Sequence, residues 1–328
     1  MSSQAFAKHK KLTQRALRYQ LTLPGLAAWL HGRANRIWET ESQPMSTEAP
    51  AVVLAAGGFS FNKDVRKTYL PEFSWVSPLG TPGDDGSGIK LGLAAGGSTA
   101  HLNRMSAWRF LYPPTALLEG IVVDRDGRRI GAEDVYGTML TEAMILRAQS
   151  RGFLILDSDQ WAEAKKQLPQ QNSSLVGLQR AHWLYWGHKK AHSLETLARK
   201  FGISEQGLKQ TVAAYNDAIR YGRKDPMQKM SDCCSPILKP PFYGIDISAT
   251  SNMGIQVVLG LTLGGLRVDE ETGLVLTEKN TKISGLYAAG RTAVGICSNQ
   301  YISGLSLADG VFSGKRAAEH ALSVRERH

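Results

Sequence analysis

The sequence predicts an α/β protein in which two glycine-rich outer parts form one domain and a middle part of different composition is inserted between them. Three observations support this. An apolar run, "AVVLAA" over 51–56, stops at Gly57-Gly58. A continuous apolar stretch of that length fits a strand buried on both faces of a parallel sheet. From His101 to about Gly254 the chain is richer in Trp, Tyr, Pro and Lys. After that, small residues and glycine return in "LTLGGLRVDEETGLVLTEKNTKISGLYAAGR", which ends at Arg291. The expected division is a basic amphipathic segment and linker over 1–50, an outer domain over 51–98 and 255–328, and an insert over 99–254. A chain of 328 residues with 42% hydrophobic residues has enough apolar material for two such domains.

The elements follow in order. Residues 5–38 carry Leu12, Leu17, Leu21, Leu23, Leu26, Trp29 and Leu30 among basic residues, which predicts one or two amphipathic helices broken near Pro24. Residues 39–50 read as a polar linker. Pro82 to Gly88 form a turn and Ile89 to Ala95 a small-residue helix. "GIVVDRDGRRI" is strand-like. Ser193 and Ser204 each cap a helix, with Glu195 and Gln206 soon after. Glu271-Thr272-Gly273 lies in a hairpin turn, and a buried strand runs up to Gly290. Ser303-Gly304 then opens the last helix.

Net charge is +10. Before Glu39 there is no acid, but there are Lys8, Lys10, Lys11, Arg15, Arg18, Arg33 and Arg36, so more than half of that charge lies in residues 1–39. A localised basic arm suits an anionic membrane surface, a targeting segment or a solvated helix face. Its Arg- and Lys-rich, acid-free composition also matches a mitochondrial transit peptide. Zinc-finger spacing and RNA-binding aromatic motifs are absent, which argues against nucleic acid. Cys233 and Cys234 are adjacent and Cys297 is distant, so no disulfide framework or metal pattern is expected, and a reducing, cytoplasmic setting is. His101, His182, His188 and His192 share no ligand spacing and read as surface or core histidines. No run of eighteen apolar residues occurs, so no spanning helix is expected.

Three glycine clusters stand out: Gly57-Gly58, Gly83 to Gly88, and Gly304. Each follows a strand or opens a helix. A helix N-terminus offers unpaired N–H groups and partial positive charge, which favour an anionic ligand group. Taken singly, each cluster reads first as a plain tight turn.

Together and in this order, "VVLAAGGF", "GDDGSGIKLGLAAGG", "LTLGGLRVDEETGLVL", "GLYAAGR" and "YISGLSLADGVFSGKRAA" resemble the FAD-dependent fumarate reductase/3-ketosteroid dehydrogenase flavoproteins. The C-terminal string is most similar to the Δ4-(5α)-ketosteroid dehydrogenase branch. The resemblance runs from about Ala51 to Ala321. It implies a Rossmann-like FAD-binding domain with an inserted α+β cap domain over the substrate, and FAD as cofactor. It carries Ala56, Gly57 and Gly58 to the adenosine part, and Gly83, Asp84, Gly86 and Gly88 along the cofactor. Gly290 and Arg291 would pack on the ribityl chain. Gly304, Leu305 and Ser306 would bring a helix N-terminus to the flavin's pyrimidine edge, where a reduced flavin gathers negative charge.

The resemblance also implies the reacting groups. Tyr301 is the main acid or base, with Ser303 and Tyr136 as relay. The expected chemistry is dehydrogenation or reduction at the CH–CH group beside a ketone, a 3-ketosteroid for preference. Tyr136 reads equally as a core tyrosine of the cap. Fumarate reductases place a histidine pair where Gly260 and Leu261 stand here, and the surrounding "NMGIQVVLGL" is apolar. A large apolar ketone therefore fits better than a dicarboxylate. Trp108, Phe110 and Tyr112 read as part of the pocket wall or as a core cluster.

The chain departs from the family pattern in three places. Residues 1–50 hold no G-x-G-x-x-G and supply no βαβ unit, so the FAD-binding domain is incomplete. Ser87 and Ala132 stand where Asp and Asn are usual. The expectation is a truncated chain or one whose dinucleotide-binding unit comes from a partner chain. Two other functions stay open: a catalytically inactive remnant binding a sterol-like ligand, and a protein using residues 5–38 for peripheral membrane contact. The electron acceptor is not legible.

Overall fold

The computed structural model describes residues 1–20, 23–171, 175–250 and 258–325. Leu21 and most of the apolar "NMGIQVV" stretch lie outside the described residues. The chain divides into two compact units, Met1–Val52 and Val53–His328.

The first unit is a helical hairpin of α1 (Ser3–Tyr19) and α2 (Pro24–Glu41). The side chain of Ser2 caps α1 by accepting from the N–H of Ala5 at 3.2 Å. Pro24 takes the first turn of α2, where its missing N–H costs nothing. The buried positions are small or aliphatic: Ala16, Ala27, Leu30 and Ala34. Helix α2 runs through to Glu41, so part of the expected linker is its last turn.

The second unit begins with β1 (Val52–Leu54), α3 (Lys63–Tyr69), β2 (Ser77–Pro78), α4 (Ser87–Ala94), β3 (Thr99–Ala100) and β4 (Met105–Trp108). The middle carries β5 (Ile121–Val123), α5 (Gly137–Arg147), β6 (Phe153–Leu156), α6 (Ser158–Gln171), α7 (Leu175–Tyr185), β7 (His188–Ala191), α8 (Leu194–Phe201), α9 (Glu205–Arg220) and β8 (Phe242–Asp246). The end carries β9 (Leu259–Thr262), β10 (Gly265–Leu266), β11 (Leu274–Leu276), β12 (Lys282–Ala288) and α10 (Leu305–Arg325). The caps expected at Ser193 and Ser204 form, each hydroxyl accepting from the N–H three residues on.

The architecture is mixed α/β built on small sheets. The middle segment contributes an antiparallel sheet in the order β5-β6-β8-β7. Strands β5 and β6 are buried on both faces, and the period of two shows directly in β6. Phe153 and Ile155 of β6 pack with Leu197, Leu208 and Val212 of α8 and α9. Leu154 and Leu156 join the other core, with Trp161 of α6 and Trp183 and Leu184 of α7. That second core continues into Phe59, Ile89, Leu266, Val275 and Ala288. A buried ionic cluster braces the start of this sheet: Glu133 pairs with Arg129 at 2.7 Å and with Lys229 at 3.2 Å, and accepts from the N–H of Val122.

The outer sequence gives a sheet in the order β1-β12-β11. Here the expectation of a strand buried on both faces is overturned. Val52 is 48% and Val53 42% exposed. In that order β1 is an edge, joined to β12 on one side only, and adjacent side chains point to opposite faces, so both faces of its start are open. The hairpin turn after Asp269 forms as expected. The Asp269 carboxylate accepts from the Thr272 hydroxyl at 2.6 Å and its N–H at 2.9 Å, and pairs with Lys282 at 3.0 Å.

Burial contrasts give a stability prediction. Leu154→Ala, at a fully buried site, lowers unfolding free energy by about 2–5 kcal/mol, whereas Val53→Ser changes it by less than about 0.5 kcal/mol; denaturant titration distinguishes the two. A second prediction concerns acid. The Thr272 hydroxyl, with Lys282 behind it, lowers the Asp269 pKa to about 2. A depressed carboxylate stabilises the fold above its unfolded value of about 3.9 and loses that contribution as pH falls towards its folded one. Unfolding midpoints at pH 5 and pH 2 therefore differ more for the wild type than for Asp269→Asn.

Candidate active site

Four segments far apart in sequence meet at the turn after β1. Gly57 adopts φ +82°, and a Cβ there would sit 2.5 Å from Oδ1 of Asp84. Gly58 donates its N–H to that same oxygen, and a side chain on it would overlap the hydroxyl of Thr262. The other oxygen of Asp84 pairs with Arg291 at 2.9 Å. Thr262 accepts from the N–H of Phe59 at 3.0 Å, and Thr292 donates to the carbonyl of Gly57 at 3.0 Å. Gly86 donates to the carbonyl of Gly58 at 2.8 Å. An added Cβ on Gly88 would meet that of Ala56 at 3.0 Å. The expected residues Ala56, Gly57, Gly58, Asp84, Gly86, Gly88 and Arg291 are thus neighbours. Gly83 lies on the turn that leads into Asp84 and has space around it. Gly290 donates to Ser313 of α10 at 2.8 Å.

The last helix supplies the second part. Gly304 has φ +88°, a conformation that side chains resist, and nothing lies within 4 Å of where its Cβ would stand. Its carbonyl accepts from the N–H groups of Leu307 and Ala308, so α10 starts beside an open surface. Leu305 donates its N–H to the carbonyl of Ile302, so the first turn is largely satisfied, and the helix end keeps its partial positive charge. That open start, together with the glycine turns, fits the ribityl and pyrimidine parts of a flavin: space where the cofactor must approach backbone, and positive helix-end charge where it becomes anionic.

Tyr301 is buried just before this helix. Its hydroxyl lies 3.3 Å from that of Ser306. Its ring meets Trp108 edge-on, centroids 5.3 Å apart at 85°, and Leu261, Leu263, Cys297 and Leu305 complete an apolar shell. Its carbonyl accepts from the hydroxyl of Thr138 at 3.0 Å. Thr138 lies two residues after Tyr136, which precedes α5 and packs its half-buried ring on Phe110 at 5.3 Å. The two tyrosine-bearing segments are therefore bonded to each other. Ser303 is exposed and makes no hydrogen bond among the described residues; the hydroxyl partner of Tyr301 is Ser306.

Sequence reasoning missed Thr138, Thr262 and Thr292 as anchors. Thr262 lies inside the "LTLGG" motif and Thr292 directly follows "GLYAAGR", but nothing local signals a hydroxyl that bonds across more than 200 residues. Asp309 was missed too. It is buried in the first turns of α10 and accepts from the N–H of Ile296 at 3.3 Å and the thiol of Cys297 at 3.4 Å. Burial, and then the Asp309 carboxylate, pushes the Cys297 pKa to about 12. No group of three or more metal-ligating side chains occurs among the described residues.

Two outcomes follow. Asp84→Ala leaves Arg291 and the Gly58 N–H without their partner, and lowers stability by about 3 kcal/mol in chemical denaturation. Cys297 stays unalkylated in the folded chain at pH 8, while Cys233 and Cys234, which are partly exposed, react first; mass spectrometry of peptides after a timed iodoacetamide pulse checks this.

The 3-oxo-5-alpha-steroid 4-dehydrogenase of Comamonas testosteroni is 34% identical over 252 residues, 75% of this chain and 46% of that protein. A probable fumarate reductase of Shewanella frigidimarina is 26% identical over 84% of this chain and 45% of its own length. The structure of 3-ketosteroid-delta4-(5alpha)-dehydrogenase from Rhodococcus jostii RHA1, in complex with 4-androstene-3,17-dione, matches with a TM-score of 0.70 at 26% identity. It covers 90% of this chain and 63% of that one. The chain spans about half the length of the curated relatives it matches. The family model "FAD binding domain" matches residues 27–307, and the chain belongs to that FAD-binding family.

Proposed function

We propose that this chain carries the catalytic side of an FAD-dependent oxidoreductase that dehydrogenates or reduces the CH–CH bond beside a ketone, with a 3-ketosteroid as substrate. The observation that carries the reading is Tyr301: a phenol buried in an apolar shell, hydroxyl-bonded to Ser306, immediately before an open helix start. The two ketosteroid relatives support the substrate class.

FAD supplies the site that takes or gives the hydride. Gly57, Gly58, Gly83, Asp84, Gly86, Gly88, Gly290 and Arg291 would hold its length, and Gly304, Leu305 and Ser306 its pyrimidine edge. The residues of this chain do the rest. In the reductive direction Tyr301 gives its phenolic proton to the carbon beside the ketone, and the phenolate left behind is held by the Ser306 hydroxyl and reprotonated from water; in the oxidative direction the phenolate takes that proton and later releases it to water. Tyr136, tied to Tyr301 through Thr138, closes the cap side. Trp108, Leu261 and Leu263 exclude water and favour an apolar ring system over a small dianion.

The test is turnover of a 3-oxo-5α-steroid with an artificial electron acceptor, on flavin-loaded protein. Tyr301→Phe lowers kcat at least about 100-fold with flavin retained. Ser306→Ala costs about tenfold, and Ser303→Ala stays within about twofold of wild type. Full activity in Tyr301→Phe removes the assignment; a Ser303→Ala loss larger than that of Ser306→Ala returns the relay to Ser303.

A further inference from the structure

The helical hairpin of residues 3–41 presents a surface that this chemistry leaves unused. Along α1, Lys8, Lys11, Arg15 and Arg18 recur at intervals of three and four and are all exposed, a continuous basic stripe. Along α2, Leu26, Trp29, Arg33 and Arg36 recur in the same way and are also exposed. At the turn end of the hairpin, Leu17, Leu23, Leu26 and Trp29 expose between 40% and 55% of their surface. Arg15, Arg18 and Arg33 surround them in sequence, and the Arg33 guanidinium lies 5.0 Å from the Trp29 ring. No acid precedes Glu39.

We propose that this hairpin docks on an anionic lipid bilayer, its turn end entering the headgroup region and its basic stripes lying on the lipid phosphates. Two features select a bilayer. Exposed leucines beside an indole gain from an apolar layer, which a nucleic acid does not offer. Trp and Arg at the boundary between such a layer and water each satisfy an apolar body and a polar end. The uninterrupted positive charge complements an anionic leaflet, where each Lys or Arg near the surface adds about fivefold to partitioning. A basic, amphipathic helical element of this kind lies in the interface and does not cross it, in keeping with the absence, among the described residues, of any helix long and apolar enough to span.

The test is flotation of the full chain with vesicles of phosphatidylcholine alone or with 30% phosphatidylglycerol, an amount of about one lipid in three chosen to give a strong surface charge. The chain floats with the anionic vesicles at low salt, stays behind with the neutral ones, and is released by raised salt. Arg15→Glu with Arg18→Glu lowers partitioning at least about tenfold. Leu26→Ser with Trp29→Ser lowers it at unchanged charge. All these positions are exposed, and thermal unfolding of each variant establishes that it is folded. Absence of flotation with anionic vesicles, unchanged flotation of either double variant, or displacement from the vesicles by an equal mass of duplex DNA each overturns the proposal.

Discussion

Asp84 is a carboxylate almost wholly removed from water, and the outer part of the chain is arranged around keeping it paired. An uncompensated charge at that depth costs several kcal/mol. Arg291 supplies the countercharge and the Gly58 N–H supplies a hydrogen bond. Each requirement then fixes something else. The carboxylate can sit there only if residue 57 has no Cβ. The turn can pack on β9 only if residue 58 has none, since Thr262 fills that space. Thr292 ties the same turn to the segment after β12, and the Gly290 N–H passes the connection to Ser313 of α10. One buried charge thus orders the strand end, the glycine turn and the helix that brings Tyr301 and Ser306 into place.

The environment of Tyr301 is the chemical counterpart. Its ring is held by an edge contact with Trp108 and by Leu261 and Leu263 of the β9 region, while its carbonyl is held from α5 through Thr138. A phenol fixed on both sides loses little further freedom when a ligand arrives, and in an apolar shell its one hydrogen bond is stronger than in water. Leu261 stands where dicarboxylate enzymes of the resembling family carry a histidine, and here it is part of that shell.

Much of this was legible in the sequence wherever the signal is local. Ser193 and Ser204 announce their helices by hydroxyl caps, Pro24 marks the break in the hairpin, and the first two glycine clusters mark the turns that meet at Asp84. The failures are cases where the outcome depends on what is distant. An apolar "VVL" says that a strand wants cover, not whether anything covers it, and Val52 and Val53 are exposed at a sheet edge. Ser303 is nearer to Tyr301 in sequence than Ser306. Yet the left-handed turn at Gly304 separates them, and the start of α10 brings Ser306 back to the phenol across five positions. The pairing of Asp84 with Arg291 spans 207 residues, and no periodicity encodes a contact of that range.

The most direct measurement is the visible absorption spectrum of the purified chain after incubation with FAD and gel filtration. The Asp84–Arg291 frame and the open start of α10 predict flavin bands that travel with the protein, and their loss in Gly304→Val, where a side chain would occupy the flavin's approach. A folded wild-type chain that emerges colourless, or a Gly304→Val variant that retains flavin as well as wild type does, would contradict the account.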